Sequence, residues 1–555
     1  MEPRNPLKGS PPPPGSPWPM PQSYAASPNL YELRPDSFHF NSNIDDCDII
    51  SKAFVRYRKL IFIQESVPSP SCHPRLRSLN VDLTEKADCT YPQHGMDESY
   101  ALTIDSKLRQ ATLRSNSPWG VLRGLETFSQ LVYIDENTNH YFINESSVWD
   151  WPRFGFRGIH LDTARHFLPM KTLKRNLEAM SYNKFNVFHW HIVDDQSWPY
   201  QMKVFPNLTN SAYHPKLIYS QENVQEIIEF ARERGIRVIP EVDTPGHSQA
   251  LGKVFPDILT ACYNPNGREG SRYPHFSAHE ILDPTQDNTY NVVKKILQEV
   301  NATFPDNYMH LGMDEVYYDC WQSNPEIGKF MKAHNMTSAS RLEQFYVKRT
   351  LDNVKAFGAK CMIWQDPLDN NVRPAPDTII EVWRSTNGTW RRNLEQAVRH
   401  GYQVVLSAPW YLNYIQYGAD WVKYYTVNPT DFKATDEEKK LVIGGEACMW
   451  GEFVDATNVI SRYWPRASSV AERLWSASYV NDPEEAKWRL DEQRCRMIRR
   501  GIPAEPIMNG YCGSYDWDIV VKRFLASSNI AICLKRCIKR RILLICLIRA
   551  NLFSK

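Results

Sequence analysis

Between Phe154 and about residue 475 the chain repeats one pattern eight times: a short apolar run ending in polar or aromatic residues, then an amphipathic stretch. The runs cover 157–162, 185–194, 236–243, 308–314, 359–366, 378–383, 403–410 and 441–450. Between them, helical spacing appears in Leu173, Leu177 and Met180, in Val224, Ile227, Ile228 and Ala231 closed by Gly235, and in Val293, Ile296, Leu297 and Val300. A further example is Leu394, Ala397 and Val398, closed by Gly401. Eight strand-helix units in roughly 350 residues predict an α/β fold, a (β/α)8 barrel, with an open doubly wound sheet as the alternative. The barrel is favoured because polar and aromatic residues gather at the C-terminal end of nearly every run.

The flanks differ. Residues 1–22 hold nine prolines and predict an extended or disordered segment, since proline lacks the backbone donor. Residues 23–150 mix short strands with a helix opening at Ser117-Pro118, a cap followed by proline at the first helical position, which predicts a small α+β domain. The barrel is expected over 151–512. Residues 513–555 carry nine basic and two acidic side chains, so the formal charge of +2 hides a remainder at −5. This basic tail suits a membrane-surface helix or a partner-binding segment, or it has no role of its own. The overall balance predicts no affinity for nucleic acid, and no uncharged apolar run approaches the roughly 18 residues of a membrane span.

Signals of compartment conflict. Five N-x-S/T acceptors, at Asn144, Asn207, Asn301, Asn335 and Asn387, together with twelve well-spaced cysteines, lean toward a secreted or lysosomal protein. The first residues, however, lack the apolar core of a signal peptide.

In a barrel the functional site lies at the C-terminal mouth, which selects the residues closing each run. These are Asp162 with Arg165, Asp194-Asp195, Asp243 with His247, Asp314-Glu315, Trp364, Trp383, Trp410-Tyr411-Leu412-Asn413, and Trp450 with Glu452. A single strand-end Asp such as Asp162 or Asp195 is more often a helix cap, and a single Trp more often core. Convergence of carboxylates and indoles on one face instead points to a sugar site, because indole faces stack on pyranose rings while acids bind hydroxyls and protonate leaving groups. A metal site competes: His189 and His191 share a strand face ahead of Asp194. The tryptophans ending the fifth and sixth runs argue against it, and neither metal nor cofactor is expected.

At HLGMDEVYYDCW the chain resembles the β-N-acetylhexosaminidases of glycoside hydrolase family 20, closely so the lysosomal animal enzymes, from about Trp18 to Cys512. The likeness runs through LRGLETFSQL, NKFNVFHWHIVDDQS, RGIRVIPEVDTPGH, SAPWYLN, IGGEACMWGE and WPRASSVAERLWS, with SAPWYLN and GGEACMWGE nearer the α-type subunit. It implies hydrolysis of terminal β-linked GlcNAc or GalNAc on glycoconjugates, lysosomal or secreted localisation, a homo- or heterodimer and no cofactor. It implies Glu315 as general acid, Asp314 as the group orienting the substrate's acetamido N–H, and the substrate's own carbonyl as nucleophile. Tyr411 would bind the acetamido oxygen, and Asp194, His247 and Glu315 would form a relay. Arg165, Asn413 and Glu452 would contact the sugar, with Trp364, Trp383 and Trp450 walling the pocket. The adjacent Asp314 charge predicts a raised Glu315 pKa. The resemblance also implies disulfides Cys47–Cys89, Cys262–Cys320 and Cys495–Cys512. The chain departs from the pattern at Met313, where the family has glycine, and at Tyr414, where the α-type has an arginine that favours sulfated sugars. Met313 keeps a second reading open, a sugar-binding homologue impaired in catalysis.

Overall fold

The computed structural model describes residues 14–510 and 512, except 45, 64–72, 85–87, 106–108, 136–137, 264–280, 386–389 and 415. One compact unit runs to Ile507, and a second begins at Met508. The basic tail read from 513–555 lies outside the described residues, as does Asn387.

The first domain is a seven-stranded mixed sheet. Its strands are β1 (Ser23–Leu33), β2 (His39–Ser42), β3 (Ser78–Leu83), β4 (Tyr100–Asp105), β5 (Gln110–Ser115), β6 (Tyr133–Asp135) and β7 (His140–Asp150), in the order β1-β7-β4-β5-β3-β2 with β6 beside β7. Helices Asp48–Ile61 and Pro118–Leu131 share one core with the sheet. The second helix starts where the sequence predicts: Ser117 accepts the Gly120 backbone N–H at 3.1 Å.

The eight remaining strands are β8 (Phe156–Asp162), β9 (Val187–His191), β10 (Arg237–Glu241), β11 (Tyr308–His310), β12 (Lys360–Trp364), β13 (Ile379–Val382), β14 (Val404–Leu406) and β15 (Val442–Met449). All pair in parallel and close into a barrel, β15 returning to β8. Strand alternation sorts its interior into layers. Phe156, Val187, Ile239, Tyr308, Met362, Ile379 and Val405 form an apolar plug. Above it lie polar side chains, all buried: His189, His310, Glu241, Glu381 and Glu446. Gly158 makes room for this layer, since a Cβ there would stand 2.2 Å from a Glu446 carboxylate oxygen.

Two sequence expectations need correction. The proline-rich segment is packed from Gly15 onward. Trp18 is fully buried, its indole N–H donates to the Ser468 carbonyl at 3.0 Å, and its backbone exchanges hydrogen bonds with Gln130. The burial gained by one indole outweighs the missing proline donors. The fourth strand is also shorter than 308–314, ending at His310. Gly312, Met313 and Glu315 take positive φ values of 65°, 70° and 47°, which no strand accommodates.

Helix Pro118–Leu131 is buried along its whole length, and its polar side chains are consumed at the junction between domain and barrel. Glu98 accepts from Arg123 at 2.8 Å, from Arg157 on β8 at 2.6 Å and from Asn186 at 3.0 Å. Arg123 also donates to the carbonyls of Arg234 and Gly235. Burial alone would raise the Glu98 pKa, but the two guanidiniums pull it below the usual carboxylate range.

Disulfides join Cys47 to Cys89 (Cα–Cα 5.8 Å) and Cys262 to Cys320 (4.8 Å); Cys495 is also disulfide-bonded. Cys361 and Cys448 are buried thiols. Among the acceptor asparagines, Asn207 and Asn335 are exposed. Asn144 and Asn301 are half-buried, with side-chain amides bonded to the carbonyls of Ser27 and Phe357. No helix among the described residues is long and apolar enough to cross a membrane.

Glu98→Gln leaves two buried guanidiniums without a counter-charge, and is expected to destabilise the fold by about 3–5 kcal/mol in denaturant unfolding at neutral pH. Because the folded pKa is depressed, the contribution of the carboxylate is present above its unfolded value and is lost as pH falls through the folded one. The gap between the two proteins therefore narrows in acid.

Candidate active site

Every residue singled out at the ends of the apolar runs stands at the C-terminal mouth of the barrel, on or just beyond its strand. Arg165 follows β8, Asp194 follows β9, His247 follows β10, and Asp314 and Glu315 follow β11. Trp364 ends β12 and Trp383 follows β13. Tyr411 and Asn413 lie past a short 3₁₀ turn, Ala408–Trp410, after β14, while Trp450 and Glu452 follow β15.

The turn after β11 aims the adjacent carboxylates. A Cβ on Gly312 would fall 1.8 Å from an Asp243 oxygen, so only glycine fits. Asp243 accepts the Met313 backbone N–H at 3.0 Å, and Asp366 accepts that of Glu315 at 3.1 Å. The Met313 side chain is fully buried within the main core cluster. Two carboxylates thus hold a left-handed stretch that would otherwise relax.

Asp194 lies beneath. Its Oδ2 accepts from Arg165 at 2.8 Å and from His191 at 2.7 Å, while Oδ1 faces His247 Nδ1 at 3.3 Å. His247 Nε2 is 3.4 Å from Glu315 and 3.7 Å from Asp314. Arg165 also binds Asp162 and Gln196 and lies over the Trp450 ring at 5.0 Å. Exposed Glu452 acts on it electrostatically. Asp162 clasps the backbone, accepting from Ala164, Arg165 and Gly451, and Asp195 accepts from Gln249; neither is the helix cap that a strand-end aspartate suggests, those positions falling to Pro169 and Ser248.

The titration pattern reverses the sequence expectation for the acidic pair. The Glu315 pKa is lowered, because the hydrogen bond from His247 stabilises its carboxylate more than partial burial opposes it. Burial instead pushes Asp314 up to about 7. Burial separates the two: His247 favours the charge of both carboxylates, but Glu315 is half-exposed while Asp314 is 8% exposed.

Aromatic rings cluster at the mouth. Trp383 stacks with Tyr411 at 6.2 Å between ring centroids, and Trp364 and Trp450 meet at 5.9 Å. Trp364 donates to Glu241 at 2.7 Å and Trp383 to Asp366 at 2.6 Å. Buried polar atoms at the mouth that no donor or acceptor reaches in good geometry include Asp195 Oδ2, Asp243 Oδ2, Asp314 Oδ1, the Tyr411 hydroxyl and Asn413 Oδ1, with the Asp243 carboxyl close to Asp314 and the Trp450 indole close to Tyr411.

Sequence reading named Asp243 only as the end of its run, without a role, and passed over Asp366, Glu241 and Glu446. Asp366 follows Trp364 by two residues and Asp243 closes its own run, which was the available signal. Glu241 and Glu446 sit mid-strand among apolar neighbours. The His189 and His191 pair noted as possible ligands is buried against carboxylates: His189 Nδ1 is 2.8 Å from Glu446 and its Nε2 3.1 Å from Glu241, and His191 is hydrogen-bonded to Glu241 at 2.5 Å.

Comparison with known proteins places this geometry. Residues 154–478 match the family model for the catalytic domain of glycosyl hydrolase family 20, and residues 17–131 match a domain described as beta-acetyl hexosaminidase like. The chain belongs to glycosyl hydrolase family 20. Among its family 20 relatives it is 46% identical to the beta-hexosaminidase subunit beta of Felis catus over 507 residues, covering 89% of this chain and 93% of the relative. It is 43% identical to the subunit alpha of Rattus norvegicus over 508 residues, 89% and 94% of the two chains. In structure it is similar to Flavobacterium johnsoniae chitobiase, with a TM-score of 0.76 and 31% identity over 87% of this chain and 73% of that one.

Proposed function

We propose that this family 20 hydrolase is a β-N-acetylhexosaminidase that releases terminal β-linked GlcNAc or GalNAc from glycoconjugates, with retention of configuration and with the substrate's acetamido group as nucleophile. The observation that carries the reading is the pair of buried polar atoms beside the acid. Asp314 Oδ1 is an acceptor that no donor reaches in good geometry, and the Tyr411 hydroxyl, beside the Trp450 indole N–H, keeps its own O–H to donate; both are buried. An acetamido group offers the complementary N–H donor and C=O acceptor, and filling both removes the cost of leaving them unpaired.

In this mechanism Glu315 donates its proton to the glycosidic oxygen as the acetamido oxygen attacks the anomeric carbon, so the leaving group departs as an alcohol and an oxazolinium ion forms. Asp314 accepts the acetamido N–H, and its negative charge offsets the positive charge gathering on that nitrogen. Glu315, now a carboxylate, removes a proton from the water that opens the oxazolinium ring and returns to its starting state. Trp364, Trp383 and Trp450 shield the sugar faces, while Arg165, Asn413 and Glu452 meet its hydroxyls.

The free site carries its proton on Asp314 in preference to Glu315, whereas the reaction needs the opposite arrangement. The pair works while it holds one proton between its members, and loses activity when that proton leaves near the raised value of Asp314. This suits an acidic compartment, in keeping with the disulfides and the exposed acceptors at Asn207 and Asn335. Glycan substrates and a dimeric assembly follow the same family reading.

Glu315→Gln is expected to lower kcat/KM on a chromogenic β-GlcNAc or β-GalNAc substrate by about 10²–10⁴-fold. Undiminished turnover in that variant would remove the assigned acid, and NMR of the first product formed should show the β-anomer. Wild-type kcat/KM is expected to fall as pH rises through about 7, following Asp314; an alkaline limb lying well above neutrality would contradict the shared-proton arrangement.

A further inference from the structure

The relay beside Glu315 does not end at Asp194. His191 lies one layer deeper, fully buried, with both ring nitrogens at hydrogen-bond distance of carboxylates: Nε2 2.7 Å from Asp194 Oδ2 and Nδ1 2.5 Å from Glu241 Oε2. A neutral imidazole has one donor and one acceptor, so only the doubly protonated ring satisfies both carboxylates. Glu241 is itself fixed, taking the Trp364 indole N–H at 2.7 Å and facing His310 at 3.2 Å and His189 at 3.1 Å.

We propose that His191, anchored by Glu241, is a positioning residue for the acid Glu315, acting through Asp194 and His247. The inference rests on the function proposed above and extends its machinery into the barrel interior. Asp194 Oδ2 is gripped by His191 and Arg165 together, which leaves Oδ1 aimed at His247, and His247 in turn meets Glu315. Without His191 one of the two grips on Oδ2 is gone, and the carboxylate is held only by Arg165 and by the Asp195 backbone N–H, which donates to Oδ1 at 2.6 Å. A buried positive charge is also lost from behind the relay.

The groups facing His191 make the charge argument specific. From β8 come Asp162 and the ring of His160 at 5.7 Å; from β10 comes Glu241; from β15 the uncharged ring of Trp450 stands at 4.9 Å. Burial alone would lower the His191 pKa, but Glu241 and Asp194 raise it to about 9. Neighbouring His160, whose Nε2 stands 3.7 Å from Glu241, is driven by burial down to about 4 and stays neutral. His191 is thus the cation of this pair, and His160 does not replace it.

His191→Gln removes the charge while retaining a polar side chain. Expected are a fall in kcat of about tenfold or more, a KM within about twofold of wild type, and an alkaline limb of kcat displaced upward by about one pH unit, because losing a nearby cation weakens the acid. A crystal structure of the variant should show Asp194 turned away from His247. A fall in kcat with unmoved pH limbs and an unaltered Asp194–His247 contact would reduce His191 to a packing role and overturn the proposal. So would unchanged kinetics. Where His191→Gln does not fold, His191→Asn takes its place with the same criteria. Wild-type protein without turnover on either chromogenic substrate would defeat the functional reading itself, and the variant's structure would still decide whether His191 positions Asp194.

Discussion

The site depends on how one buried carboxylate is held. Asp194 sits among Arg165, His191 and His247, and although burial disfavours its charge, Arg165 and His247 drive its pKa far below the usual carboxylate range. A buried anion is tolerable only when its lone pairs are filled by charged donors in good geometry, and Asp194 meets that condition. From it the arrangement passes outward to His247 and so to Glu315, whose charge His247 stabilises. Asp314 receives less of this support and stays protonated to higher pH. Two chemically similar neighbours thus acquire different proton affinities, Asp314 from its burial and Glu315 from the imidazole.

The barrel beneath is built to carry that load. An apolar plug closes one end, and above it imidazoles and carboxylates pair within a space kept free of bulk at Gly158. Such a layer contributes less to stability than hydrocarbon of the same volume would. Its histidines and glutamates reach upward to Asp194 and to the indole of Trp364, so the interior also serves as scaffolding for the mouth. The first domain is fastened to the outside of this barrel through Glu98 and the wholly buried helix Pro118–Leu131.

Much of this was legible in the chain. Strand-helix alternation located all eight barrel strands, because each buried strand is a short apolar run bounded by polar punctuation, and the residues closing those runs gather at one mouth. The Ser117-Pro118 start was readable from local backbone chemistry alone. Other features depend on tertiary context. Glu241 and Glu446 look like interruptions in apolar strands until the barrel closes and brings histidines from other strands against them. The proton affinity of Glu315 was misjudged because Asp314 is adjacent in sequence while His247, the stronger influence, comes from another strand. Met313 departs from the family's glycine, yet its side chain is buried in the core while its backbone takes a positive φ. Trp18 lay within proline-rich sequence whose composition suggested disorder, and long-range burial overrode it.

The central claim is that the mouth of this barrel is complementary to an acetamido group. Competitive inhibition by N-acetylglucosamine against glucose tests it directly, since the two sugars differ only at that substituent. With Asp314 Oδ1 and the Tyr411 O–H waiting for partners, N-acetylglucosamine is expected to bind about two orders of magnitude more tightly. Equal inhibition by the two sugars would contradict the account.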